Sequence, residues 1–268
     1  MQVKIVSITS SLIEEQKLSP EELIVYIARV SNPSNQLNTE TSDKLIRYLI
    51  KNRHWSPFEM VDLGVEVKTS RAIAAQILRH WSIHFQEFSQ RYAEVVEMEP
   101  VQLRKQAESN RQSSEEEFDP IIEFGGIPED VKTLLKECLW YFNSIPRTRA
   151  DSPNTKDSYE VASRIDTYLR THPGTMLTSE AVQMSIDGDV DLYKKLLKAQ
   201  IAKECARMIL PLTTQTTLYM KATVRDWIHY LIARTDKHAQ LEHRQLANAI
   251  APIFESQFPN VVKALNNV

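Results

Sequence analysis

Val61, Leu63, Val65 and Val67 alternate with Asp62, Gly64, Glu66 and Lys68, and a period of two with one apolar face marks a half-buried antiparallel strand. Val3 to Ile8 reads as a first strand. Between the two, the pattern is helical. Ser19-Pro20-Glu21-Glu22 is a capping box with proline at the first helical position, predicting a helix through Val30 with Leu23, Ile27 and Val30 buried. A second helix is predicted from about Ser42 to Asn52, with Leu45, Ile46, Leu49 and Ile50 inward.

A third helix, Ser70 to His80, has a serine N-cap candidate and an alanine-rich interior. Its spacing sets Gln76, Arg79 and His80 on a polar face opposite Ile73 and Ile77. After Trp81 alternation returns, predicting an extended chain with Glu87, Ser89 and Arg91 on one side and Phe88, Gln90 and Tyr92 on the other. Charged residues dominate Gln102 to Asp119, which reads as a mobile surface loop. Pro128 opens a helix in which Val131, Leu134, Leu135, Cys138, Leu139 and Phe142 recur at core spacing.

Ile145 to Asp191 reads as an elaboration, with helices near Asp157 to Thr171 and Ser179 to Ile186 punctuated by Pro146, Pro153, Pro173, Gly174 and Asp187-Gly188-Asp189. Another helix follows from Val190 to Ala199. Thr223-Val224-Arg225-Asp226 starts a helix carrying Trp227, Tyr230, Leu231 and Arg234, and a cation on that apolar face needs an acidic neighbour or a bound anion. The last helix, expected to break near Pro252, has an apolar stripe of Leu246, Ala249, Ile250, Ile253 and Phe254 suited to packing or to oligomer contact.

Composition narrows the classes. With 268 residues and 42% hydrophobic content the chain can bury a sizeable core as one domain. A formal charge of -3 and a pI near 6.2 exclude a general nucleic-acid binder, which needs a basic surface. The two cysteines, Cys138 and Cys205, form no CxxC, and no signal peptide or long apolar run is present, so a soluble, reduced, cytoplasmic protein is expected, with no membrane partner. The five glycines form neither a GxGxxG nor a P-loop. Any phosphate must therefore be held by side chains.

The chemistry concentrates in Gln76 to Tyr92, where two arginines, two histidines, a glutamate and three glutamines sit among aromatics. Guanidinium groups beside amide and hydroxyl donors suit a planar, anionic ligand such as a nucleotide. Arg79-His80-Trp81, seven residues and then Ser89 resembles the Arg-His-Arg, seven residues, Ser signature of the flavin-dependent thymidylate synthases, with Trp81 in place of the usual arginine. Three further segments resemble that family in the same order. They are His54-Trp55-Ser56-Pro57-Phe58-Glu59, the run Glu204-Cys205-Ala206-Arg207-Met208-Ile209-Leu210-Pro211, and Arg234-Thr235-Asp236-Lys237-His238-Ala239-Gln240. Ala28-Arg29-Val30-Ser31 is similar to a fifth, and Asn110 to Gln112 is similar to an Asn-Arg-Gln of some members, which implies an approach to a substrate without placing these three among the site residues.

The resemblance implies an α+β fold, an antiparallel sheet flanked by long helices, as a single domain over 1–268 with a helical insert at about 145–191, assembled as a homotetramer whose sites are shared between subunits. It implies reductive methylation of dUMP to dTMP, with 5,10-methylenetetrahydrofolate as carbon donor and NADPH reducing FAD. It assigns dUMP to Gln76, Arg79, Glu87, Phe88, Ser89, Gln90, Arg91, Arg207 and Arg234, with Arg234 favouring ionisation at uracil N3. The flavin falls to Ser31, His54, Ser56, Arg79, His80, Trp81, Glu87, Thr223, Arg225, His229 and His238, where Thr223 replaces a usual asparagine. No histidine and carboxylate are spaced as a triad with Ser89, which reads as a hydrogen-bonding residue. Two alternatives stay open on the residues alone. One is a non-catalytic nucleotide-binding homologue; the other is a metal hydrolase using His80, His84 and Glu87 or His238, Glu242 and His243.

Overall fold

The computed structural model describes residues 2–94, 97–108, 114–124, 129–144, 153–171 and 174–267. Asn110 to Gln112 lie outside them. The chain divides into two compact units, one built from residues 1–100 and 190–268 and the other from the described part of 101–189. The second unit thus begins well before the elaboration expected from residue 145.

In the first unit the order is β1 (Gln2–Ile8), α1 (Pro20–Ala28), α2 (Ser42–Lys51), a 3₁₀ turn (Ser56–Glu59), β2 (Asp62–Ser70), α3 (Arg71–Ile77) and β3 (His84–Glu87). The second unit holds β4 (Arg104–Gln106), β5 (Ser114–Glu117), β6 (Ile121–Phe124), α4 (Glu129–Ser144), α5 (Pro153–Thr171) and β7 (Gly174–Leu177). Then come α6 (Thr178–Lys198), α7 (Lys203–Ala206), β8 (Gln215–Thr223), α8 (Val224–Thr235), α9 (Leu241–Gln257) and α10 (Pro259–Leu265). The architecture is α+β, with antiparallel sheets.

The four-stranded sheet runs β1-β2-β8-β3, and each neighbouring pair is antiparallel. The register between β2 and β8 pairs Val65 with Met220 and Val67 with Leu218, so the two apolar sets share one face. Val61, Leu63, Val65 and Val67 are each 0% exposed, as their alternation requires. Over this face lies a cluster including Ile24 and Ile46 of α1 and α2, Phe58, Trp227 of α8, and Phe254 and Val261 of α9 and α10. Polar groups fasten it. Trp227 Nε1 donates to the Leu63 carbonyl at 2.9 Å, and the buried Glu21 carboxylate of α1 accepts from Val261 N and Asn260 Nδ2, both at 2.8 Å, capping α10 from another helix.

Local signals explain the edges. The α1 capping box forms, with Ser19 and Glu22 bonding reciprocally. The helix stops at Ala28, however, so Val30 is exposed rather than buried. α2 ends in a Schellman arrangement: Arg53 N bonds Ile50 O at 3.0 Å and His54 N bonds Leu49 O at 2.9 Å, with Arg53 at φ 57° in a place that favours glycine.

Other expectations are corrected. The extended segment after Trp81 ends at Glu87; Ser89 to Ala93 turns instead, with Tyr92 N and Ala93 N both bonding Ser89 O, so side chains do not alternate there. Within Gln102 to Asp119, β4 and β5 pair antiparallel. α6 runs unbroken through Asp187-Gly188-Asp189, and Gly188 has open space where a side chain would sit. α9 continues through Pro252 to Gln257, with Ala247 buried and Ala249 exposed. On α4, Val131 and Leu134 are exposed and Leu135, Cys138 and Leu139 are only half-buried, the helix packing chiefly against α5.

Candidate active site

The site grows from two strand-to-helix joints. β8 passes into α8 at Thr223, whose Oγ1 accepts from Asp226 N at 3.2 Å and donates to Asp226 Oδ2 at 2.6 Å, closing the helix N-terminus. Helical spacing then buries Trp227, Ile228 and Tyr230 while Arg225 and His229 look outward. β2 likewise passes directly into α3 at Ser70, here without a side-chain cap, and the chain after α3 carries Arg79, His80 and Trp81.

Between these elements lies a cleft of about 620 Å³ whose lining includes Glu59, His80, Trp81, His84, Arg225 and His229. Four of the residues assigned to the flavin, His80, Trp81, Arg225 and His229, meet here. Trp81 is 93% exposed, and Trp55 stands edge-on behind His229 at 5.6 Å. Arg225 is neutralised by an ion pair with Glu59.

At one end of the cleft Arg234 Nε donates to His80 Nε2 at 2.8 Å. An arginine stays protonated, so His80 Nε2 must be the bare nitrogen and the ring neutral. Burial, then the Arg234 charge, pushes the His80 pKa down, consistent with that state. His80 meets the ring of Tyr230 edge-on at 5.0 Å, and Tyr230 OH lies 3.1 Å from Nε2 of the fully buried His243. Burial, with Arg234 and His80 adding to it, lowers His243 to about 4, and burial drives the Tyr230 hydroxyl up. Both are neutral near pH 7.

A second group gathers around Glu204. Arg91 Nε lies 3.6 Å from its carboxylate, and Arg207 Nε donates to its carbonyl at 3.4 Å. Ser89 Oγ accepts from Arg91 N at 3.4 Å, and Gln90 is buried with its Nε2 lacking a hydrogen-bond partner. Arg91 and Arg207, both assigned to dUMP, thus each contact Glu204. Glu87 is engaged internally, by Arg71 at 3.3 Å and Thr216 Oγ1 at 3.0 Å, while Phe88 lines a small neighbouring cavity with Lys68 and Thr217.

Other expected residues stand apart. Gln76 bonds the Gln240 side chain, Arg79 is exposed, and Ser31 opens on a different cavity beside Arg29 and Lys44. His54 is exposed against Tyr48, Ser56 is exposed on its 3₁₀ turn, and His238 is exposed beyond α8. Among the described residues no hydrogen bond or ion pair links the Arg234 group with the Arg91 group. Glu59, His84, Tyr230 and His243 are absent from the dUMP and flavin sets expected from sequence; Glu59 lay within a quoted motif, His84 and His243 were singled out only as ligands of the metal alternative, and Tyr230 gave no signal beyond core spacing. The metal alternative is corrected: His80 faces Arg234, His243 is sealed against Tyr230, and among the described residues no three His, Cys, Asp or Glu side chains could hold an ion.

The segments that build this geometry fall within a stretch of known ancestry. Residues 11–260 match the model of the thymidylate synthase complementing protein family, and the chain belongs to that family. It is 42% identical to a probable flavin-dependent thymidylate synthase of Paramecium bursaria Chlorella virus 1 and 40% identical to the flavin-dependent thymidylate synthase of Synechocystis sp., covering 99% of both chains in each case. A relative in Thermus thermophilus, also named flavin-dependent thymidylate synthase, is 30% identical over 91% of this chain and 70% of its own. No helix among the described residues is long and apolar enough to cross a membrane.

Proposed function

We propose that the chain is a flavin-dependent thymidylate synthase, converting dUMP to dTMP with 5,10-methylenetetrahydrofolate as carbon donor and NADPH as reductant, and that it works as a homotetramer. Its near full-length likeness to proteins of that name supports the reading. The cleft suits FAD on chemical grounds: it is broad and open, with an exposed indole, three imidazoles and a guanidinium along its walls. His80, Trp81, Arg225 and His229 would hold the cofactor, which when bound supplies the hydride for the pyrimidine.

One observation carries the assignment of the base site. Arg225 is compensated by Glu59 and Arg91 by Glu204, but the partner of Arg234 is a neutral imidazole 154 positions away in sequence. Its charge is left for a ligand. With one N–H given to His80, four donors remain to face an anionic uracil edge, where a preorganised cation stabilises charge at N3. Arg91, Arg207 and Ser89 would take the phosphate as side-chain donors, in keeping with the absence of a glycine loop. That no hydrogen bond or ion pair links the two groups among the described residues fits completion of each site by another copy.

Purified protein should bind dUMP by calorimetry, and reduced flavin should be reoxidised anaerobically only when both dUMP and methylenetetrahydrofolate are present. Binding of dUMP without that reoxidation would point instead to a non-catalytic homologue. Absence of dUMP binding would remove the proposal.

A further inference from the structure

We infer that His80 is a positioning residue for Arg234, held in place by the buried Tyr230 and His243 pair; this rests on the proposed role of Arg234 toward the pyrimidine. A guanidinium on a flexible stem has many orientations, and fixing one requires an acceptor at Nε that does not cancel the charge. A carboxylate would anchor it but neutralise it. The bare Nε2 of His80, at 2.8 Å, anchors it and leaves it cationic.

That acceptor role needs the imidazole to keep its proton on Nδ1 and its plane fixed. Tyr230 supplies the plane, at 5.0 Å and 74° to the ring, and Tyr230 is itself tied at 3.1 Å to His243, whose ring stands 6.1 Å from His80 at 89°. Tyr230 and His243 are buried on two packed helices. His243 carries a second polar atom, Nδ1, that is buried without a hydrogen-bond partner, a loss that packing alone would avoid by placing an apolar residue there.

The test compares His80→Leu with His80→Gln. Leucine removes the acceptor, whereas the glutamine amide oxygen restores one near the place of Nε2. By calorimetry on the full chain, His80→Leu should weaken dUMP binding about ten-fold, with His80→Gln staying within about three-fold of the unaltered protein. Nitrogen-15 imidazole shifts should report the Nδ1–H tautomer for His80, with a mixture of tautomers in Arg234→Leu. Unchanged binding in His80→Leu, equal losses in both His80 variants at matched thermal stability, or an Nε2–H tautomer would each overturn the inference. Should the unaltered protein bind no dUMP, the functional proposal falls while the tautomer still decides whether His80 anchors Arg234.

Discussion

β2 and α4 carry apolar residues at equally regular spacing and meet opposite fates. The inward positions of β2 are fully buried because β8 continues the same face and α1, α8 and α9 cover it. On α4, Val131 is 40% exposed, Leu134 58% and Trp140 73%. Periodicity fixes which side of an element is apolar; whether that side is buried depends on a partner contributed from elsewhere. The site stands on the well-covered region, where its residues inherit rigidity from packed strands and helices.

Four experiments press on this contrast, in decreasing order of effect. Trp227→Ala should lose about 3 to 5 kcal/mol of unfolding free energy in a denaturant titration, since it empties a fully buried site and removes the indole bond to the Leu63 carbonyl. Acid should act on His243 next. Its folded pKa of about 4 lies below the ordinary 6.5, so the unfolded chain takes the proton first, and stability should fall by roughly 3 kcal/mol as pH drops from about 6.5 to about 4. His243→Gln should flatten that part of the stability profile. Gly64→Ala should cost no more than about 1 kcal/mol, because the only close contact of a Cβ there is the Ser7 Oγ at 2.2 Å on β1, an exposed hydroxyl that can rotate away, the next atoms lying at 3.5 Å or beyond. Leu134→Ala should change stability by no more than about 0.5 kcal/mol. A loss there as large as that of Trp227→Ala would break the comparison and mean that another copy covers α4.

Much of the first unit was legible because local rules and packing agree. The alternation of β2, the α1 capping box and the inward stripe of α2 all appear as read. β8 escaped notice although it is central to the sheet. Its inward positions are Thr216, Leu218, Met220 and Ala222, a threonine and an alanine among four, too weak an alternation to announce a strand until β2 and β3 flank it. Gly188 and Pro252 misled in the other direction. Each sits on an exposed helix face where the interruption is tolerated. At the site, the motifs identified Arg234 and His80 separately, but nothing in either segment reveals that one serves as acceptor for the other. The Tyr230 and His243 pair was hidden by its burial, since spacing cannot distinguish an aromatic that packs from one that also hydrogen-bonds.

The joint at Thr223 has a consequence for how such a molecule can vary. Thr223 is at once the last rung of the β8 ladder, opposite Asp62, and the cap of α8, so no slack separates sheet from helix. Advancing β8 by one position would carry α8 along by about 3.3 Å and turn every strand side chain over. That displacement exceeds the whole span between Arg234 and His80. The pairing of two strands therefore serves as the gauge against which the guanidinium is set, and insertions or deletions in β8 should abolish ligand binding even where the chain still folds.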